Sequence, residues 1–228
     1  MKLKLIFLIL LYLIGYSNAI SQNLVPNPSF EDYDSMASLP YYIEDSEPWF
    51  DPKFHMWSSA DLWNIESGFV PGTPAGDRYP RTGDAFSGLI CYTNYTSDTN
   101  NIFHGAKEYI AVKLTSPLIS GFTYTVSYYY SVGEIFSNSF VTNLGVLFVN
   151  DTSSINTTLH ITNAYTNITY NYNNWYEYSA NYTANGNESF LIIGNFNTVS
   201  NTNYIYDSAN SLFDYNTNYR YNKVIFFL

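Results

Sequence analysis

The sequence has little positive charge. Nine Lys and Arg stand against nineteen Asp and Glu in 228 residues, a formal net charge of −10. A surface of that sign repels phosphate backbones and anionic headgroups, which excludes nucleic acid and the membrane surface as main partners. There is one cysteine, Cys91, so an internal disulfide is impossible. It lies in the apolar stretch GLICY with no histidine beside it, and reads as a small buried thiol. Histidine is scarce too: His55, His104 and His160 fall in different predicted elements. HExxH, GxSxG and clustered cysteines are all missing. The loop acids Glu44, Asp45 and Glu47 supply at most half of a glycosidase-type pair, and a solvated acidic loop is the simpler reading. The expectation from these absences is a non-catalytic chain.

Long apolar runs are confined to the start. Leu5 to Ile14 are unbroken apolar residues behind Lys2 and Lys4, and Ser17-Asn18-Ala19 follows as a small-residue cleavage site. A spanning helix needs about 20 apolar residues, so this run is a secretory leader by length. The expected organisation is a signal peptide over 1–19 and a single β-sandwich domain over 20–228, exported, with no transmembrane span once the leader is removed.

Aromatic residues, in contrast, are abundant: 24 Tyr and 16 Phe argue against a disordered chain. Helical periodicity is absent and period-two alternation dominates. In FTYTVSYYYSV, Phe122, Tyr124, Val126, Tyr128, Tyr130 and Val132 share one face. WYEYSANY repeats the pattern with Tyr176, Tyr178, Ala180 and Tyr182. AVKL, LGVLFVN, TTLHIT, SFLIIGNF and KVIFFL read as further strands, several apolar throughout as in strands covered on both faces. Turn signals separate them: Pro117 and Gly121 before the best strand, and Asn185-Gly186 as a hairpin signal. The expected fold is all-β, with eight to ten antiparallel strands in a two-sheet jelly-roll sandwich.

Three tryptophans, Trp49, Trp57 and Trp63, fall in the irregular early region. Flat aromatic faces beside amides and carboxylates suit sugars, whose faces are apolar and edges polar. They are the candidate ligand-binding residues.

The phrase NLVPNPSFEDYDS at residue 23 carries a resemblance. With PWFDP, SSADLWN, PRTGDAFSGLICY, KEYIAVKLTSPLISGFTYTVSYYYS, NLGVLF and FLIIGNF in order, it resembles an N-terminal domain of secreted and outer-membrane proteins of the Bacteroidetes type. Such proteins often continue into an outer-membrane-protein-A-like peptidoglycan-binding domain or a type IX secretion sorting domain. More broadly the pattern is similar to galactose-binding-like jelly rolls, the fold of many carbohydrate-binding modules. The resemblance implies a structural calcium ion (Ca2+) with Glu31 as carboxylate ligand and Thr82 and Asp84 where further oxygens would come from. The closing segment departs from the pattern: Asn222-Lys223 stand where acids are expected, leaving Asp207 or Asp214 as substitutes. The implied function is a surface module binding glycan or another cell-surface ligand. The alternative is a spacer or adhesion domain mediating protein contacts; a glycoside hydrolase is the third reading.

Overall fold

The computed structural model describes residues 22–33, 41–52, 60–67, 70, 72–73, 76–94, 106–132, 139–141, 144–153, 161–162, 174–206 and 222–227. The expected leader, Trp57 and all three histidines lie outside them. The described chain is all-β, with three short 3-10 turns and no α-helix. Its strands are β1 (Tyr41–Tyr42), β2 (Trp49–Phe50), β3 (Asp61–Asn64), β4 (Gly72–Thr73), β5 (Gly76–Asp77), β6 (Ala85–Asn94), β7 (Tyr109–Lys113), β8 (Thr123–Val132), β9 (Ser139–Val141), β10 (Gly145–Val149), β11 (Ile161–Thr162), β12 (Tyr176–Thr183), β13 (Phe190–Gly194), β14 (Tyr204–Tyr206) and β15 (Asn222–Phe227). The count exceeds the expected eight to ten because five of these strands are only two residues long.

Two antiparallel sheets carry the architecture. The larger has the order β1-β3-β6-β15-β8-β12 and the smaller β11-β10-β13-β7-β2. Their facing sides share one core: Leu62, Val126, Tyr130 and Tyr178 from the larger sheet meet Ile110, Val112, Val146, Leu191 and Ile193 from the smaller. This is the alternation read in the sequence. Tyr176, Tyr178, Ala180 and Tyr182 sit opposite Tyr130, Tyr128, Val126 and Tyr124, and Tyr128 stacks on Tyr178 at 4.6 Å between ring centres. The opposite face is a polar ladder, with Thr123 paired to Thr183 at 3.2 Å and Thr125 donating to Asn181 at 2.9 Å. Cross-strand pairs of these kinds fix register, because a one-residue slip would turn every tyrosine to water. Phe122 departs from the expected face. It precedes β8 in the connection and is exposed.

The smaller sheet is buried on both sides, since Tyr109, Ala111, Leu147, Ile192 and Phe196 form a second cluster on its far face. That explains why β13 reads as an unbroken apolar run. Cys91 is fully buried, and burial raises its thiol well above the ordinary range, with Glu108 adding to the effect. Glu108 holds the start of β7 against β6: its Oε2 accepts the Ile90 N–H at 2.6 Å, and its own N–H donates to the Ile90 carbonyl at 2.8 Å.

Asn185-Gly186 does not close a hairpin. The strands it joins lie in different sheets, β12 against β8 and β13 between β10 and β7. The Pro117–Gly121 connection makes the same crossing from β7 to β8. The two connections run side by side, joined by Leu118 N–H to the Glu188 carbonyl at 2.9 Å, Gly121 N–H to Ala184 at 2.8 Å and Ala184 N–H to Phe122 at 2.9 Å. A two-stranded ribbon thus bends from one sheet into the other. The carboxylate of buried Glu188 fixes the bend. Its Oε1 accepts from the Asn185 N–H at 2.7 Å and the Tyr182 hydroxyl at 2.6 Å, and its Oε2 from the Gly186 N–H at 2.7 Å. Gly186 sits at φ +106°, a conformation only glycine adopts easily.

Burial alone would raise the Glu188 carboxyl, but hydrogen bonds from Tyr182, its own backbone, Asn185 and Gly186 together hold it below the usual range. A depressed folded-state value means stability that is full above about pH 4.3, the ordinary glutamate value, and is lost as pH falls through the folded value. Tyr182 has the opposite sign. Burial, then the Glu188 bond and charge, push it up to about 12, so its contribution is full below about pH 10 and lost above that. Glu188→Gln keeps the shape but loses the charge-assisted bonds. The expected cost is about 1–3 kcal/mol in urea unfolding, with a flattened acid limb; an unchanged acid limb would show that the charge is not what holds the bend.

Candidate functional site

The candidate site lies in the larger sheet, between β6 and β8. β15 runs antiparallel between β6 and β8. Along β6 it is paired from Asn94 to Gly88, but along β8 only at Val132 and Ser131. Beyond Phe227 the flanking strands continue, β6 through Ser87 to Ala85 and β8 through Tyr130 to Thr123. Between these two continuations lies a cavity of about 480 Å³.

Its floor is buried and apolar, made by Phe86, Leu114, Leu118, Leu191 and Ile193. Ring faces wall it: Tyr124, Tyr128 and Tyr129 from β8, Phe148 from β10, and Trp175, which meets Phe86 edge-on at 6.3 Å. The rim is polar and exposed, with Asn23, Arg81, Thr82, Thr125 and Ser127. The Arg81 guanidinium lies 3.4 Å above the Tyr129 ring, a cation–π contact. Among the described residues Arg81 has no carboxylate partner.

The segment NLVPNPSFE closes one side. Leu24 and Val25 pack against the core, and the Leu24 carbonyl accepts the Thr115 N–H at 2.9 Å. Asn27, at φ 44°, is the anchor. Its Nδ2 donates to the Asp32 carbonyl at 2.8 Å and Ser46 Oγ at 2.9 Å, and its carbonyl accepts the Trp49 indole N–H at 2.8 Å. Phe30, at φ 62°, lies 4.9 Å from the Trp49 ring. A short amide side chain tolerates the left-handed conformation, whereas a phenylalanine there is uncommon and is held by its surroundings. Sequence patterning saw a particular phrase here but not this purpose, which is to wall the cavity.

Glu31 ends the phrase and reaches the TGD turn. Its Oε1 accepts the Asp84 N–H at 2.9 Å and the Ala85 N–H at 3.1 Å. Gly83, at φ +64°, lies so close that a Cβ there would run into the Glu31 carboxylate. Tyr33 reports the same clustering. Burial raises its hydroxyl pKa first, and the charges of Glu66, Glu31 and Asp84 add to it. Glu31 and the backbone of Asp84 and Ala85 therefore form a direct hydrogen-bonded tie, and Thr82 lies on the cavity rim. No group of three or more acids, histidines or cysteines able to hold a metal forms among the described residues.

The tryptophans are placed otherwise than expected. Trp49 and Trp63 are both buried at 4% exposure, so neither offers an open face to a sugar. Trp49 shows one side to the cavity, while Trp63, on β3, belongs to the core. The physical reason is burial of the largest apolar surfaces available. The aromatic side chains that do face the cavity mouth, Tyr129 and Trp175, escaped sequence reading because each sits in or beside a strand whose alternation already explained it. Among the loop acids, Glu44 is structural: its Oε1 accepts the Asp51 N–H at 3.0 Å.

No protein-family model matches the chain, and no curated protein is similar to it. Among solved structures, the chain is similar to a Stig cyclase, FisC from Fischerella sp. TAU, in complex with (3Z)-3-(1-methyl-2-pyrrolidinylidene)-3H-indole. The identity is 10%, the TM-score 0.46, and the match covers 90% of this chain and 96% of that one. The expectation of a non-catalytic chain is corrected on this point. The similar structure bears an enzyme's name, so absence of catalysis is not carried forward. At this level of likeness no activity is transferred either.

Glu31→Ala removes the tie and is expected to lower stability by about 1–2 kcal/mol, allowing for its exposure. Gly83→Ala, forced into a left-handed conformation against the carboxylate, loses at least as much. Both losses should be equal with calcium or with a chelator. A calcium-dependent rise in the wild-type unfolding midpoint, absent from Glu31→Ala, would instead make the tie a metal site.

Proposed function

We propose that this chain is a ligand-binding β-sandwich that takes its ligand into the cavity between β6 and β8. One observation carries the reading: a cavity of about 480 Å³ has an apolar floor, aromatic walls and a polar rim. That volume lies in the range of about 300–1,000 Å³ usual for ligand pockets. The arrangement suits a ligand with apolar faces and hydrogen-bonding edges. A pyranose has that character, and so has an extended polypeptide. The bent two-stranded ribbon supports, in kind, the galactose-binding-like jelly roll that the motifs resemble. The leader over 1–19 supports export, and with it a role at the cell surface; the N-terminal sequence of the mature protein checks this.

The test uses N-phenyl-1-naphthylamine, a neutral aromatic probe that fluoresces in apolar sites. Saturable binding to the full chain is expected, lost in Ser127→Trp, which fills the cavity from its exposed rim without entering the core. Non-saturable binding, or binding indifferent to the substitution, would remove the cavity as a site. A glycan panel titrated against the same variant separates a sugar from other ligands.

A further inference from the structure

We infer that Asn185 is a hydrolytic modification site, converted to aspartate and isoaspartate when the bend opens, and that Glu188 and Tyr182 hold it unreacted while the bend is closed. The site lies apart from the cavity. Asn185-Gly186 is the one Asn-Gly dipeptide in the sequence. The backbone nitrogen that follows an asparagine can attack the side-chain amide carbon and close a five-membered ring. A side chain on the following residue crowds that approach, and glycine has none. Asn185 is exposed at the tip of a turn, so water reaches it. In the reaction, the Gly186 nitrogen gives its proton to hydroxide and bonds to Cγ of Asn185. The Cγ–Nδ2 bond breaks, and Nδ2 leaves as ammonia with a proton from water, which regenerates the hydroxide. The cyclic imide then takes up one water. Opening at Cγ gives aspartate. Opening at the main-chain carbonyl gives isoaspartate, whose main chain is longer by one carbon. Nothing is oxidised or reduced.

In the closed bend both reacting groups are tied. The Gly186 N–H donates to Glu188 Oε2 at 2.7 Å, so the nucleophile keeps its proton against a negative charge. Asn185 Nδ2 donates to the Tyr182 hydroxyl at 3.3 Å, and that hydroxyl donates to Glu188 Oε1 at 2.6 Å. The Asn185 N–H reaches the same Oε1 at 2.7 Å. One carboxylate therefore fixes the N–H groups on both sides of the Asn185 Cα and, through Tyr182, the amide. Cyclisation swings the amide carbon onto the Gly186 nitrogen and breaks these bonds, so the reaction passes through a local opening of the bend. The products do not restore the closed form. Either one carries a new carboxylate beside Glu188. It has no N–H to give Tyr182, and its charge repels the Glu188 carboxylate across that hydroxyl. Isoaspartate also lengthens a tip that has no slack, since a Cβ on Gly186 would come within 3.0 Å of Ser120 Cβ. An opening that is reversible at first is made permanent by one hydrolysis.

Peptide mapping of the full chain in mildly alkaline buffer tests this, with ammonia release and the isoaspartate fraction at residue 185 as readouts. A synthetic peptide of residues 181–190 gives the rate without the gate. The folded chain is expected to convert at least about tenfold more slowly than the peptide, the factor that one charge-assisted hydrogen bond sets. In urea it converts at the peptide's rate. Glu188→Gln is expected to convert faster than the wild type by about the same tenfold. Near-ultraviolet circular dichroism shows whether that variant is folded, and Tyr182→Phe, which keeps the carboxylate, is expected to fall between it and the wild type. Asn185→Asp installs the first product and is expected to lower the unfolding midpoint, as does the converted wild-type fraction separated by anion exchange. A folded chain that converts as fast as the peptide removes the gate. Folded variants that convert no faster than the wild type overturn its assignment to Glu188 and Tyr182. An unchanged midpoint in both Asn185→Asp and the converted fraction overturns the permanent opening of the bend.

Discussion

The bend held by Glu188 is the constraint on which the rest of the structure depends. Two connections cross from one sheet to the other, and neither has a regular ladder where it turns. Crossing together lets each supply hydrogen bonds to the other, and a single buried carboxylate takes the N–H groups left over at the tip. A buried carboxylate is costly unless nearly every lone pair is used. Here three donors reach it within 2.7 Å. Once the ribbon is bent, β7 must pair with β13 in one sheet and β8 with β12 in the other. The tyrosine-rich face of β8 and β12 is then forced onto Val112, Leu191 and Ile193, and the common core follows.

The same constraint creates the cavity. β8 is held along eight residues by β12, so its position is set without help from its other neighbour. β6 is likewise held at its start by β3, with Ala85 opposite Asn64 and Phe86 opposite Trp63. The two strands can therefore stand a lane apart where β15 does not separate them. Each flanking strand is fixed from its outer side. An opening placed between two independently anchored strands is a stable opening, which distinguishes it from a packing defect that would collapse.

Much of this was legible in the sequence. The inward faces of β8 and β12 follow from alternation, and the two-sided burial of β13 from its unbroken apolar run. What was not legible has specific physical causes. Asn185-Gly186 encodes a tight turn, and a tight turn is the same chemistry whether its strands pair or part; only Glu188, three residues after Asn185, marks the difference. Trp49 and Trp63 are ligand-binding candidates by their place in an irregular region, yet the Trp49 indole is fixed by the Asn27 carbonyl across 22 positions of sequence. A contact of that separation has no local signature. The cavity is equally invisible, since its lining comes from distant strands and connections and from no motif.

The opening phrase then has a single physical role with two ends. At one end Asn27 and Phe30, both in left-handed backbone conformations, wedge the segment against Trp49. At the other, Glu31 ties it to the first residues of β6. These anchors hold the wall of the cavity from both of its ends, to β2 in the smaller sheet and to β6 in the larger. Strain at Phe30 is tolerable only because both anchors persist. Any occupant of the cavity presses on the same wall, so binding and the stability of the N-terminal segment are linked: a ligand that fits raises the free energy needed to detach that segment by as much as it binds the closed wall better than the open one.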